Sequence, residues 1–133
     1  MTVHQHPTVW PCLRYDDAHG ALRFLVDVVG FIRALVIPTG DADIEHAELR
    51  WPEGGAVMFG SAKRQRGTVH DVMRSGVNTV YVVTDHVDAI HERAAASGAE
   101  IAVEPHDTDF GSYTFTLRDP EGNLWTFGTY RGA

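Results

Sequence analysis

The stretch Leu49-Arg-Trp-Pro-Glu-Gly-Gly-Ala-Val-Met-Phe-Gly60 recurs 68 positions later as Leu117-Arg-Asp-Pro-Glu-Gly-Asn-Leu-Trp-Thr-Phe-Gly128. The two copies share Leu-Arg, Pro-Glu-Gly and Phe-Gly at the same offsets. The same shift places four earlier residues on identical partners: Asp17 on Asp85, Ala21 on Ala89, Gly30 on Gly98 and Ala34 on Ala102. These matches fall where a chain needs helix starts, helix ends and turns, which predicts two tandem copies of one structural unit.

Each copy is predicted to fold as β-α-β-β-β. In the first copy, Asp17 can cap the helix by accepting a hydrogen bond from its first turn, and Gly30 ends the helix. The predicted strands of this copy are Thr8–Tyr15, Phe31–Ile37, Ile44–Arg50 and Ala56–Gly60. The second copy is predicted to contain a helix from Asp85 to Ser97 and the strands Val77–Thr84, Glu100–Val103, Ser112–Arg118 and Leu124–Tyr130.

The predicted fold class is α+β, with one domain over residues 1–133. Its first module covers about residues 8–60, a linker covers 61–75, and the second module covers about 76–131. One cysteine excludes an internal disulfide and is typical of a reducing compartment. We find no basic start followed by an apolar run and no apolar stretch long enough to cross a membrane, so we expect a cytoplasmic protein.

The net charge of the chain argues against one class of binding partner. Eleven basic and 18 acidic residues give −7, which argues against nucleic acid as the main partner because phosphate binding needs a positive surface. The charge is consistent with a cationic small molecule. The linker is locally basic, and it is either a solvated connector or a lid or contact for an anionic ligand; its basic residues are Lys63, Arg64, Arg66 and Arg74.

Three segments resemble the vicinal-oxygen-chelate superfamily. The stretch Asp119-Pro-Glu-Gly-Asn-Leu-Trp-Thr-Phe127 is similar to its closing hairpin, Tyr15-Asp-Asp-Ala18 to its opening strand and helix, and His46-Ala-Glu-Leu49 to its third strand. The superfamily includes glyoxalases, epimerases, extradiol dioxygenases and bleomycin-resistance proteins, and the sequence looks closest to the bleomycin-resistance-like and PhnB-like members. The resemblance implies curved sheets that enclose a cup, helices outside, and a two-fold homodimer.

Metal-dependent members of that superfamily place one ligand, usually His or Glu, on each of four strands. The resemblance puts these positions near Trp10, Glu48, Thr79 and Thr126, with Pro11 or Asn78 as the choice if the first or fifth strand shifts by one residue. Only Glu48 coordinates divalent ions well. We therefore predict no cofactor, and the usual metal-dependent activities are not expected.

The favoured hypothesis is a metal-independent small-molecule-binding protein of the bleomycin-resistance type, which holds an organic ligand, such as a cationic antibiotic, in the cup. The alternative is a lyase, isomerase or dioxygenase of the same superfamily with a non-standard metal site or an acid–base site. Glu48 and His46 are the candidates for either role. A regulatory ligand-binding module is a third hypothesis.

Strand alternation predicts which residues line the site. His46, Glu48 and Arg50 project from one face of a strand, whereas Ala47 and Leu49 project from the other. The polar face either lines the cup or is simply the solvated side of an antiparallel sheet. The predicted ligand-binding residues are Trp10, Arg14, His46, Glu48, Arg50, Met58, Tyr81, Thr116 and Thr126.

Other chemistry-bearing residues are assigned structural roles. Trp125 and Phe127 are predicted to be core residues, and Cys12 is predicted to be a buried, inert thiol. The remaining histidines are expected to be surface residues without a special role; these are His4, His6, His19, His70, His86, His91 and His106.

Overall fold

Two four-stranded mixed sheets, one in each half of the chain, form the scaffold of the computed structural model, which describes residues 7–133. The strands of the first half are β1 (Cys12–Tyr15), β2 (Ile32–Thr39), β3 (Asp43–Arg50) and β4 (Ala56–Ser61). Those of the second half are β5 (Thr79–Val83), β6 (Glu100–Asp107), β7 (Tyr113–Arg118) and β8 (Leu124–Gly128). His4 and His6 lie outside the described residues.

The two sheets have the same strand order, β1-β4-β3-β2 and β5-β8-β7-β6. In each sheet the first strand pairs parallel with the last, and the other neighbours pair antiparallel. Helix α1 (Ala18–Arg23) packs on the first sheet and α2 (Val87–Ala96) on the second. The linker forms two short 3₁₀ turns, Ala62–Gln65 and Val69–Val72. The predicted α+β class and the β-α-β-β-β order of each half are confirmed.

The first helix begins and ends at the predicted residues but changes form on the way. The Asp17 carboxylate accepts a hydrogen bond from the Gly20 N–H at 3.0 Å. After α1 the chain widens into a π-helical turn, Phe24–Val29, and Gly30 follows with φ 107°. A Cβ at Gly30 would lie 2.7 Å from Nη2 of Arg93, so the arginine side chain would have to move to admit one. The Arg93 guanidinium donates to the carbonyl of Val28 at 2.6 Å and so joins α2 to this helix end.

Several predicted boundaries differ from the structure; β6, for example, extends to Asp107 rather than ending at Val103. Strand β1 begins at Cys12 rather than at Thr8, because the Trp10 indole N–H donates to the Pro7 carbonyl at 3.0 Å and turns the preceding segment. Helix α2 begins at Val87 rather than at Asp85. The N-cap is His86, whose side chain makes no capping hydrogen bond. The Thr84 hydroxyl accepts from the His86 N–H at 2.9 Å in the turn that precedes the helix.

One hydrophobic core is shared by both halves. Phe59 from the first sheet and Trp125 and Phe127 from the second are almost completely buried, which confirms the core assignment of the last two. Phe31 lies at the junction, with its ring centroid 4.9 Å from that of Trp51 and 5.7 Å from that of Trp125. Because aromatic rings bury large areas, this cluster makes the packing of one half depend on the other.

Each Pro-Glu-Gly turn reaches across to the other half. The Glu53 carboxylate accepts from the Thr84 hydroxyl at 2.6 Å and from the Asp85 N–H at 3.0 Å. The Glu121 carboxylate accepts from the N–H groups of Asp16 and Asp17 at 2.7 and 2.8 Å. Glu53 and Glu121 are equivalent under the 68-residue shift, so the two contacts are reciprocal. We call them the carboxylate clamps.

A buried polar cluster reinforces the clamp at Glu121. The Asp119 carboxylate accepts from the Tyr15 hydroxyl at 2.6 Å and from the Trp125 indole N–H at 3.0 Å. Burial raises the pKa of the Tyr15 hydroxyl, and the charge of Asp119 and the hydrogen bond to it raise that pKa further. Tyr15 is therefore a neutral donor that holds a strand of the first half to a turn of the second.

We predict that Glu53→Gln and Glu121→Gln each lower the free energy of unfolding by about 1–2 kcal/mol, since each variant loses charge-assisted hydrogen bonds between the halves. Urea unfolding followed by circular dichroism measures the loss. Glu92→Gln on the exposed face of α2 is the matched control and should change stability by less than about 0.5 kcal/mol. Equal stability of all three variants would show that the clamps do not hold the halves together.

We predict that Tyr15→Phe changes the alkaline stability profile. Because the folded-state pKa of Tyr15 lies above the unfolded value of 10.0, its stabilising contribution is complete below about pH 10 and declines as the pH rises further. Wild-type protein should then lose up to about 1.4 kcal/mol more per pH unit than the variant. Urea titrations between about pH 8 and about pH 11 test this, and parallel profiles of the two proteins would contradict it.

Candidate functional site

Apart from Trp10, which precedes β1, the predicted site residues lie on the face of each sheet that points away from the shared core, which we call the outer face. On the first sheet, a row of paired residues crosses all four strands, and we call it the central row. It consists of Cys12, Met58, Glu48 and Leu35. On the second sheet the corresponding row is Tyr81, Thr126, Thr116 and Val103. Ala47 and Leu49 are fully buried on the opposite face, as strand alternation predicts. The structure therefore groups Met58 with Glu48, and Tyr81 with Thr116 and Thr126.

His46 and Glu48 form a direct pair on β3. The Nε2 atom of His46 lies 2.7 Å from a carboxylate oxygen of Glu48, and the two side chains are 35% and 29% exposed. Glu48 thus has a partner on its own strand, two residues away. A carboxylate that holds an imidazole in one orientation is the arrangement that general acid–base chemistry uses. Arg50 follows on the same outer face and is half-buried.

Arg14 lies on β1, at the edge of the same outer face. Its Nη1 donates to the carbonyl of the adjacent Leu13 at 2.9 Å. Its Nε is buried and has no hydrogen-bond partner in the described part of the chain. Arg14 pairs in register with Gly60 of β4, which presents no side chain to this face. Gly60 is buried, and a Cβ there would lie 2.8 Å from the Glu45 carbonyl oxygen, so the main chain of β3 covers this position.

The central row on the outer face of the second sheet carries hydroxyl groups rather than charges. Thr116 and Thr126 lie opposite each other, and their hydroxyl oxygens are 2.8 Å apart. Tyr81 is 43% exposed and donates its hydroxyl to the Tyr130 carbonyl at 2.8 Å. Its side chain extends across Gly128, where a Cβ would lie 2.5 Å from the tyrosine oxygen. This face can offer hydrogen bonds and an aromatic surface.

The prediction for Cys12 was wrong. The thiol is exposed, because β1 is an edge strand and Cys12 projects from its outer face. Trp10 precedes β1 and is half-buried. Both residues lie at the β1 side of the row that contains Met58.

The expectation for His91 was incomplete. Its ring packs edge-to-face on Phe115, with centroids 5.3 Å apart, and its Nε2 lies 2.9 Å from a Glu104 carboxylate oxygen. His91 therefore joins α2 to β6 and β7. Helical position alone did not reveal this, because Glu104 and Phe115 come from distant strands.

The central residues of the outer faces line none of five clefts found among residues 7–133; these residues are His46, Glu48, Thr116 and Thr126. The cleft of about 630 Å³ lies on the linker, where Lys63, Arg66 and Arg74 contribute to its walls. A smaller cleft of about 240 Å³ lies between the halves and includes Tyr81 and Trp51. The predicted site is thus an open surface.

The donor set does not suit the divalent metal that the resemblance implies. Residues 7–133 contain no group of three or more His, Cys, Asp or Glu side chains that could hold a metal ion. Of the four family positions, only Glu48 offers a carboxylate, and the Thr126 hydroxyl is already engaged by Thr116. Hard divalent ions prefer several carboxylate, imidazole or water ligands.

Among the described residues, no helix is long and apolar enough to cross a membrane.

Comparison with known proteins gives one family. The model of the glyoxalase/bleomycin resistance protein/dioxygenase superfamily matches residues 5–127. TioX from Micromonospora sp. ML1 is similar in structure, with a TM-score of 0.71 and 32% sequence identity; the match covers 90% of this chain and 97% of TioX. An uncharacterized protein of Mycobacterium bovis is 26% identical over 132 residues, which cover 96% of this chain and 86% of that protein.

A third relative shares the fold at lower identity. The lactoylglutathione lyase of Agrobacterium tumefaciens has a TM-score of 0.69 and 22% identity, and the match covers 92% of this chain and 94% of the lyase. At that identity the likeness concerns the fold and not the activity. Together with the strand order and the family match over most of the sequence, these relatives show that the chain belongs to the glyoxalase/bleomycin resistance protein/dioxygenase superfamily.

Proposed function

We propose that the protein binds a small organic molecule on its outer faces without a metal ion and without changing it chemically. The observation that carries the proposal is the composition of the two central rows. They combine apolar side chains, such as Met58 and Leu35, with a few polar groups, and this is the usual lining of small-molecule sites. The same rows lack the donors that a metal-dependent enzyme of this family needs.

We propose further that two copies assemble so that the outer faces become enclosed. A single copy leaves these faces open, whereas small-molecule sites bury most of their ligand. Edge strand β2 exposes Ile32, Leu35 and Ile37 at 53%, 42% and 44%, and β6 exposes Val103 at 45%. Exposed apolar side chains on an unpaired edge strand favour association. A homodimer would cover this surface and give the ligand a second wall.

The proposal extends to biological context. A single exposed cysteine without a disulfide is typical of the cytoplasm, where we place the protein. Binding without turnover would serve to sequester a toxic compound, and a cationic antibiotic is the class that the net charge suggests. The identical strand orders and reciprocal clamps support an origin by internal duplication.

A second candidate function rests on one contact. The His46–Glu48 pair, with 2.7 Å between nitrogen and oxygen, could act as a metal-free acid–base couple in a lyase or isomerase. In that case Glu48 orients the ring and His46 transfers a proton to or from a bound substrate.

We predict that purified protein is stabilised by an organic ligand and not by divalent metals. A thermal-shift screen of Zn²⁺, Ni²⁺, Mn²⁺ and cationic glycopeptide antibiotics measures this, because a ligand that binds only the folded state raises its melting temperature. Met58→Lys should abolish the shift caused by any organic hit. Stoichiometric metal uptake that depends on Glu48 or His46 would overturn the proposal.

The enzymatic alternative has its own test. We expect no turnover of a methylglyoxal–thiol adduct by wild-type protein, with or without added metal. Turnover that is lost in both His46→Gln and Glu48→Gln would establish the acid–base function instead, provided that the variants retain the wild-type circular dichroism spectrum.

We predict a dimer of roughly twice 14.7 kDa by light scattering after gel filtration. Ile37→Arg should shift it toward monomer, because the charge falls in the apolar edge that association buries. Glu92→Arg on exposed α2 makes a similar surface change away from that edge and should leave the dimer intact. A monomeric wild-type protein at about 100 μM would contradict the assembly.

A further inference from the structure

The cleft of about 240 Å³ between the two halves is a site that the proposed function does not use. The first half contributes Val9 and Pro11 to its lining, and the second half contributes Tyr81 and its neighbours on β5. Phe31 and Trp51 are almost fully buried and also belong to the lining, so the cleft extends from the surface to the edge of the shared core. A small molecule in this cleft would therefore contact both halves.

The internal duplication explains why the cleft occurs on the side of the first Pro-Glu-Gly turn. Gly55 and Ala56 line it, and under the 68-residue shift they correspond to Asn123 and Leu124. Asn123 is fully buried, and its side-chain oxygen accepts from the Gly76 N–H at 3.0 Å. None of the five clefts among residues 7–133 is lined by Asn123 or Leu124. The cleft thus lies where the first half has smaller side chains than the second.

The lining of the cleft carries no charge. Its polar side-chain groups are the Trp51 indole N–H, which donates to the Val83 carbonyl at 2.9 Å, and the Tyr81 hydroxyl, which donates to the Tyr130 carbonyl at 2.8 Å. The other side chains that line it are aliphatic or aromatic. A charged ligand would lose its hydration here without gaining a partner, so the lining favours a neutral one.

The backbone of β5 adds one pair of hydrogen-bonding groups to the cleft. The Thr84 N–H donates to the Gly128 carbonyl of the neighbouring strand, and in a parallel pair alternate residues direct their backbone groups to the other edge. Val83 faces that free edge, since its carbonyl accepts from Trp51 of the first half. Tyr81 lies two residues earlier and faces the same way. Its N–H and carbonyl form no hydrogen bond with another residue between 7 and 133.

We propose that this cleft binds a neutral molecule of one or two flat rings that carries a cyclic amide. An apolar cavity of about 150 Å³ holds one benzene ring, so the volume of this cleft suits one or two rings. The rings contact the aromatic and aliphatic lining, the amide N–H donates to the Tyr81 carbonyl, and the amide oxygen accepts from the Tyr81 N–H. This second site goes beyond the proposed function on the outer faces and does not depend on it.

Two related compounds test the proposal. 2-Quinolinone has two fused rings and a cyclic amide, and N-methyl-2-quinolinone has the same rings without the N–H. We expect 2-quinolinone to cause saturable shifts of the Tyr81 amide and Trp51 indole signals in nuclear magnetic resonance spectra of ¹⁵N-labelled protein. The methylated compound should bind at least about threefold more weakly, because it cannot donate to the Tyr81 carbonyl.

Ala56→Leu is the variant that should fill the cleft. It places in the first half the residue that the second half has at the equivalent position, Leu124. We expect it to weaken 2-quinolinone binding by at least about tenfold, because the added side chain occupies the space of the rings. Ala95→Leu adds the same atoms to the exposed face of α2 and should leave the affinity unchanged. The near-ultraviolet circular dichroism spectrum of each variant must match that of wild type.

The comparison of the two compounds on wild-type protein tests the same proposal without any variant. Equal affinity of the two compounds would overturn the cyclic-amide class. The site itself is wrong if no saturable shift appears, if the shifts are confined to outer-face residues such as Met58 and Thr126, or if Ala56→Leu binds as well as wild type. Tighter binding of 2-quinolinone that is lost in Ala56→Leu and kept in Ala95→Leu supports the proposal.

Discussion

The carboxylate clamps are the constraint on which the rest of the structure depends. Each Pro-Glu-Gly turn closes a hairpin in its own half and accepts hydrogen bonds from the strand-to-helix turn of the other half. Free N–H groups near the start of a helix favour a carboxylate. Two such contacts fix how the halves meet, and Phe31 and Trp51 then pack into the single core at their junction. Both outer faces stay exposed as a result.

Local patterns in the sequence predicted the architecture well, because they report periodicity and capping. The burial of Ala47 and Leu49 and the cap at Asp17 follow from residues close in sequence. The exposure of Cys12 was missed because it depends on strand order, which places β1 at an edge. The clamps were missed because their partners are far apart in sequence, although the equivalence of Glu53 and Glu121 was a signal that pointed to them.

The candidate site shows how two similar halves come to differ. Under the 68-residue shift Met58 corresponds to Thr126, yet their register partners, Cys12 and Tyr81, are 69 positions apart. This one-residue offset puts a small side chain at one edge strand and a large aromatic at the other. The central row of one outer face therefore ends in a small side chain, whereas that of the other ends in a tyrosine that extends across Gly128. Side-chain chemistry alone did not reveal this, because the offset is a property of the pairing.

The reciprocity of the clamps also bears on assembly. Each half supplies the hydrogen-bonding groups that the other half requires. The corresponding half of another molecule would therefore form the same hydrogen bonds as the half in the same chain. Linker residues 61–75 then decide between closure within one molecule and exchange between two. Shortening the linker would favour exchanged pairs at high concentration, whereas a longer one would favour self-closed chains. The length of the linker thus influences whether the protein is a self-closed monomer or a pair of molecules that exchange halves.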